Sequence, residues 1–281
     1  MGPIVKFCGL TRMEDVLAAH RVGAWALGFI FAPSPRRVTA GHVEALLNEV
    51  EARIRASVAD ERIVSPAVPG PLTVGVFGDA DPEEVAAVVR SAGVDVVQLH
   101  GPSSPDLDLV RQALKGWRPP LRLASRSGER AYRLDTSWLG DTPLIIRVVG
   151  VSPDEHEAAR LRRRLVEVCE MGALPLIDTK VDERMGGTGR SVSWPLVAEA
   201  ADGLRFLLAG GIGPKNVREA LSVSGAWGVD VSSGVESAPG QKDRAAMMQL
   251  MLEAEKGIRT RRLQCPRPPD TSGRTQEGSR S

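Results

Sequence analysis

Short apolar runs alternate with amphipathic stretches from the N-terminus to about Val235. The runs at residues 4–8, 26–31, 73–77, 96–99, 144–149, 174–177, 206–208 and 228–231 are nearly continuous in apolar residues. Such runs, rather than strict alternation, are expected of strands buried on both faces. The stretches between them carry helix starts. Thr11 with Glu14 three residues on reads as a capping box ahead of a helix over 15–22. Asp81-Pro82 reads as an N-cap and first turn leading into 83–91. Pro214 opens a helix to about Leu221, residues 154–171 form a long one, and Asp243 begins the last, to about Lys256. Repeated strand–helix alternation points to parallel strands joined by right-handed crossovers. A doubly wound sheet satisfies the alternation alone, but eight units at this spacing favour a single closed (β/α)8 (TIM) barrel over residues 1–256.

Three stretches depart from the compact repeat. Residues 51–71 extend the connection after the second helix, and 116–143 form a Pro-, Arg- and Ser-rich insertion before the fifth strand. Residues 257–281 lack apolar periodicity and read as a disordered tail. Because the 116–143 insertion precedes a strand, it belongs at the N-terminal mouth, away from chemistry.

The chain has 281 residues, 42% of them hydrophobic, enough for a full core. A formal net charge of +1 lacks the basic excess of a nucleic-acid or anionic-membrane binder. No apolar run is long enough to span a bilayer, and the N-terminus lacks a signal-peptide pattern. The expectation is a soluble cytoplasmic protein. Cys8, Cys169 and Cys265 are too few and scattered for a disulfide framework or a Cys-rich zinc site, so no metal is expected. Cys169 falls at an apolar helical position and reads as core, and Cys265 sits in the tail.

In such barrels the working residues lie at the C-terminal ends of strands and in the loops that follow. Those ends carry Lys6-Phe7-Cys8-Gly9, Ser34-Pro35-Arg36-Arg37, Gln98-Leu99-His100-Gly101, Asp178-Thr179, Ala209-Gly210-Gly211 and Asp230-Val231-Ser232-Ser233-Gly234. Gly210-Gly211 with Ser232-Ser233 outlines a phosphate site, because glycines let backbone N–H groups approach an anion and the next helix start adds partial positive charge. The same glycines also serve a tight strand-to-helix turn. Taken alone, Cys8 reads as a small buried core residue, and Asp178 as a carboxylate capping a loop.

Further segments extend the series: Gly28-Phe29-Ile30-Phe31, Gly186-Gly187-Thr188-Gly189 and Val235-Glu236. In this order, and spanning nearly all of residues 4–243, the set resembles the motif series of phosphoribosylanthranilate isomerases. The resemblance implies an Amadori rearrangement of N-(5-phosphoribosyl)anthranilate to 1-(2-carboxyphenylamino)-1-deoxyribulose 5-phosphate in tryptophan biosynthesis, with no cofactor. It assigns the general base to Cys8 and the general acid to Asp178, overturning both plainer readings. Cys8 then needs a thiolate-favouring setting, and Asp178 a setting that keeps it protonated.

The carboxylate of the anthranilate ring falls to Arg36, whose guanidinium can bind it through two parallel bonds. Arg37 stands where the family usually has an aromatic, and the loop is one residue shorter than the common form. His100 is expected to line the pocket or to satisfy a backbone carbonyl. Asp230 is expected to bond a sugar hydroxyl or the substrate amine, or to orient neighbouring backbone. Residues 186–189 resemble the family's mobile loop, and Ser193 replaces the Asp that commonly caps the following helix.

Two other readings compete with this one. Bifunctional relatives that also accept the histidine-pathway aminoaldose use paired carboxylates, whereas this chain ends its first strand in Cys8. A barrel kept only as a scaffold should have lost the acid, the base or the phosphate loops, and all three are present.

Overall fold

The computed structural model describes residues 2–59, 71–101, 104–123, 144–151, 157–179 and 193–264. The first half of the chain runs β1 (Val5–Phe7), α1 (Met13–Arg21), β2 (Ala26–Ile30), α2 (Ala40–Ala59), β3 (Leu72–Phe77), α3 (Pro82–Ala92), β4 (Val96–Leu99) and α4 (Leu107–Ala113). The second half runs β5 (Ile145–Gly150), α5 (Ala158–Glu170), β6 (Leu174–Asp178), α6 (Trp194–Ala200), β7 (Leu207–Ala209), α7 (Val217–Ser224) and β8 (Gly228–Val231). A short antiparallel pair, β9 (Glu236–Ala238) and β10 (Gln241–Lys242), precedes α8 (Arg244–Gln264). Strands β1 to β8 pair in sequence order, and β1 closes onto β8 through Lys6↔Asp230. The expected (β/α)8 barrel is the fold.

Two layers of core follow from the period of two along each strand. One face packs inside the barrel, where Ile4, Ala26, Val74, Ile146, Leu174 and Leu207 form a cluster. The other face packs under the helices, where Val5, Phe29, Val97 and Ile177 join the larger cluster. The same alternation puts Lys6 between Ile4 and Cys8 on the inner face, and Asp178 in line with Leu174 and Leu176. This register carries polar groups into the barrel at its C-terminal mouth.

Helix starts and ends agree with the sequence in part. Asp81 Oδ1 accepts the N–H of Glu84 at 2.8 Å, Pro82 sits in the first turn, and Gly93 closes α3 in the left-handed region. Asp243 Oδ1 likewise caps α8 through the N–H groups of Ala245 and Ala246. The Thr11–Glu14 capping box does not form. Thr11 Oγ1 instead donates to Gly240 O at 2.7 Å, tying α1 to the turn between β9 and β10, and α1 begins after Arg12 with no side-chain cap. Ser193 makes no cap bond at the start of α6. Helix α7 begins at Val217, three residues after Pro214, because Asn216 Oδ1 first engages Gly213 N.

Several boundaries also move. Helix α2 continues to Ala59, so the extra connection begins well after residue 51. The tail does not begin at residue 257: α8 runs to Gln264, with Gly257 against Arg218 of α7 and Ile258 packed on the core. Cys169 is half-buried rather than core, because the buried stripe of α5 is Leu161, Leu165 and Val168 and Cys169 lies one position past it. Residues 60–70, 124–143 and 186–189, together with Cys265, lie outside the described residues. Among the described residues no helix is long and apolar enough to cross a membrane.

Candidate active site

Strand β1 delivers Lys6 and Cys8 to the inside of the barrel. Lys6 is wholly buried, and its Nζ donates to Asp230 Oδ2 of β8 at 2.8 Å. A buried ammonium is tolerable only when paired, and the Lys6↔Asp230 register supplies that pair directly. Cys8 is buried at the mouth, where its N–H donates to Val231 O at 2.8 Å. Gly28 of β2 lies beside both side chains: a Cβ there would stand 2.9 Å from Cys8 Sγ and 3.0 Å from Lys6 Nζ. The glycine leaves room for sulfur and ammonium to share one hollow.

The charges compete. Burial pushes the Cys8 thiol up, and nearby Asp230 adds to this, while Lys6 and Lys242 pull it back only in part. Burial disfavours the charged form of Lys6, but Asp230 and Cys8 outweigh it and leave Lys6 above its ordinary value. Among the described residues Asp230 Oδ1 is buried without a partner, as are Gln98 Oε1 and Ser232 Oγ. Unsatisfied polar atoms are costly in a folded core, and these stand ready for a ligand's donors.

Arg36 lies across Gly9, whose added Cβ would meet Arg36 Cδ at 2.5 Å. Its guanidinium is not free: Nε and Nη2 bond the two oxygens of Glu236 at 2.8 and 2.6 Å. Lys242 Nζ reaches the same carboxylate at 2.6 Å and Ser232 O at 3.1 Å. Burial opposes the charge on Glu236, but hydrogen bonds from Arg36 and Lys242 prevail and hold its carboxyl below the usual range. Glu236 therefore stays ionised at neutral pH, and its bonds loosen only once pH falls below the usual carboxylate range. Arg37 is exposed.

The loops after β7 and β8 are locked together. Gly210 and Gly211 both take positive φ, 95° and 66°. Asn216 Nδ2 donates to Gly211 O, and Thr179 Oγ1 donates to Ala209 O. The backbone N–H groups of Gly210, Gly211 and Ser233 find no acceptor among the described residues. Across the gap, a Cβ on Gly234 would lie 2.0 Å from Ile212 O. Gly234→Ala should therefore force the two loops apart, costing about 1–3 kcal/mol. Thermal unfolding checks this, and the Michaelis constant for a phosphorylated substrate should rise in the same variant.

Asp178 ends β6, in register with Gly150 and Ala209. His100 is exposed, and its N–H donates to Phe77 O at 2.8 Å. Its surroundings are a cavity of about 690 Å³ shared with Ser104, Arg147, Val148 and Gly150, towards α4 and α5. Among the described residues no bond ties it to the Cys8 cluster. Sequence reasoning gave no role to Lys6, Gln98, Glu236 or Lys242. Lys6 had a signal: it occupies an inward parity position in an otherwise apolar strand. The Glu236 and Lys242 contacts depend on the β9–β10 pair, which has no apolar signature.

A closed parallel barrel with ionisable groups and glycine loops gathered at the C-terminal mouth is an enzyme scaffold of the (β/α)8 class. Its family follows from comparison. The chain belongs to the N-(5'phosphoribosyl)anthranilate (PRA) isomerase family, whose model matches residues 5–119 and 144–253. The match skips 120–143, which coincides with most of the insertion read from the sequence. An N-(5'-phosphoribosyl)anthranilate isomerase of Synechococcus sp. (strain JA-2-3B'a(2-13)) is 36% identical over 254 residues, covering 89% of each chain. That of Thermotoga maritima is 32% identical over 256 residues, covering 90% of this chain and 98% of its own. The crystal structure of the Thermotoga maritima enzyme superposes with a TM-score of 0.64 at 30% identity, covering 90% and 98% of the two chains. A phosphoribosyl anthranilate isomerase in complex with reduced 1-(o-carboxyphenylamino)-1-deoxyribulose 5-phosphate gives 0.61 at 26% identity, with the same coverage.

Proposed function

We propose that this chain converts N-(5-phosphoribosyl)anthranilate to 1-(2-carboxyphenylamino)-1-deoxyribulose 5-phosphate, the isomerisation of tryptophan biosynthesis, in the cytoplasm. The observation that carries the assignment is the buried Cys8, set at the mouth beside a buried cation and facing a carboxylate with an unfilled oxygen. In this reading Asp178 gives a proton to the furanose oxygen as the C1–O bond opens, leaving an iminium that keeps its N–H. The Cys8 thiolate then takes the proton from C2, and the electrons move to give the enolamine. Return of a proton to C1 and loss of one from the C2 hydroxyl complete the ketone, so no proton is gained or lost overall.

Three anchors hold the substrate. The backbone N–H groups of Gly210, Gly211 and Ser233, with Ser232, receive the phosphate. Asp230 Oδ1 accepts from the substrate amine or a sugar hydroxyl. Arg36 takes the anthranilate carboxylate through its remaining Nη1 edge, with Glu236 fixing the plane of the guanidinium. Arg36→Ala should raise the Michaelis constant about 10- to 100-fold, the loss of a charged bidentate contact, with a smaller fall in turnover.

A coupled assay with freshly generated phosphoribosylanthranilate, following loss of its fluorescence, tests the activity. No loss above the buffer rate would sink the assignment. The same assay reads the base. The thiolate is the active form and burial raises the Cys8 thiol, so kcat/KM should climb with pH past the ordinary thiol range. A plateau already at pH 6 would show that another group accepts the proton.

A further inference from the structure

Nothing in the barrel's packing calls for a charge at Lys6. The neighbours on its face, Ile4 and Ala26, are apolar, and Lys6 itself has no exposed surface. Replacing a buried ion pair by apolar residues of similar volume is often neutral or stabilising. A Lys6–Asp230 pair kept inside the barrel is therefore weak as a device for stability. Its place suggests another use. Gly28 removes the one side chain that would separate the ammonium from the thiol, since a Cβ there would crowd Sγ and Nζ equally. Asp230 fixes the ammonium from the far side through Oδ2.

We propose that Lys6 is a positioning residue for proton abstraction: anchored by Asp230, its ammonium holds the thiolate of Cys8 in place as the counter-ion. This inference rests on the reading of Cys8 as base. When Cys8 loses its proton, one cation stands between two anions, the sulfur and the Asp230 carboxylate. The other charges facing Cys8 are Lys242 of β10 and Arg36 of the loop after β2, and both are already committed to Glu236. Lys6 is the cation bonded to Asp230 on one side and to the Cys8 thiol on the other. A ligand donor that engages Asp230 Oδ1 would weaken the opposing anion and shift the hold of Lys6 towards sulfur, so substrate binding itself would favour the thiolate.

The test is the pH dependence of Cys8 alkylation by iodoacetamide, resolved by peptide mass spectrometry so that Cys169 and Cys265 do not contribute. In Lys6→Met the midpoint should rise by at least about one pH unit, cutting the alkylation rate near neutrality about tenfold. The ascending limb of kcat/KM should move with it, and kcat should fall more than KM changes. A midpoint equal to the wild type's overturns the proposal, because a purely structural lysine would alter stability without moving the thiol. If Lys6→Met does not fold, Asp230→Asn decides. It keeps the ammonium and removes the opposing charge, so the midpoint should fall, and an unmoved or raised midpoint overturns the proposal. Full turnover in Cys8→Ser would instead remove the assignment of the base. The alkylation shift does not depend on turnover, so the two failures are distinguishable.

Discussion

Cys8→Ser should lower turnover by at least about a hundredfold, the lower range for a positioned acid or base, while leaving product-analogue affinity nearly unchanged. Serine keeps the size and hydrogen bonding of cysteine but replaces a thiol with an alcohol of far higher pKa. The surroundings make the difference harder to rescue. Burial already pushes the thiol up against the pull of Lys6, so the weaker acid in the same hollow would hold its proton throughout the accessible range. The backbone should not change, because the N–H of Cys8 to Val231 O bond involves no side chain. Steady-state kcat and titration with the reduced product analogue separate chemistry from binding. Full activity in this variant would remove the sulfur from the mechanism.

The barrel was legible because its strands are buried on both faces and so read as unbroken apolar runs. Val96–Leu99 and Gly228–Val231 form as expected to the residue. Boundaries failed where a tertiary contact outbid a local one. Thr11 is chemically able to cap α1 but finds Gly240 O instead, a partner distant in sequence. The sequence ends the last helix at Lys256 because residues 257–281 lack apolar periodicity, whereas α8 runs to Gln264. In the fold Gly257 is needed for close approach, since an added Cβ would meet Arg218 O at 2.8 Å.

The site was legible by position more than by electrostatics. Strand ends gave the loop glycines and Cys8, and the family motifs gave Asp178 and Arg36 their roles. What no linear pattern carried was pairing across the barrel: Lys6 to Asp230, and Arg36 and Lys242 to one carboxylate, Glu236. Arg36 consequently sits with one edge occupied. A guanidinium held this way offers a fixed plane rather than a mobile charge, which suits recognition of a flat aromatic carboxylate.

Asp178→Asn should also reduce turnover by at least about a hundredfold, for a different reason from Cys8→Ser. The amide keeps the shape of the acid but has no proton to give to the opening ring. Both strand neighbours at this level are small, Gly150 and Ala209, and a Cβ on Gly150 would meet nothing within 4 Å. Asparagine is nearly isosteric with aspartate, so the substitution adds no bulk at this level. An ordinary aspartate is ionised near neutrality. Its use as an acid depends on the bound phosphate and carboxylate of the substrate raising its proton affinity. In Asp178→Asn kcat should fall while titration with the reduced product analogue gives an affinity near the wild type's. Full turnover in this variant would assign the acid to another group.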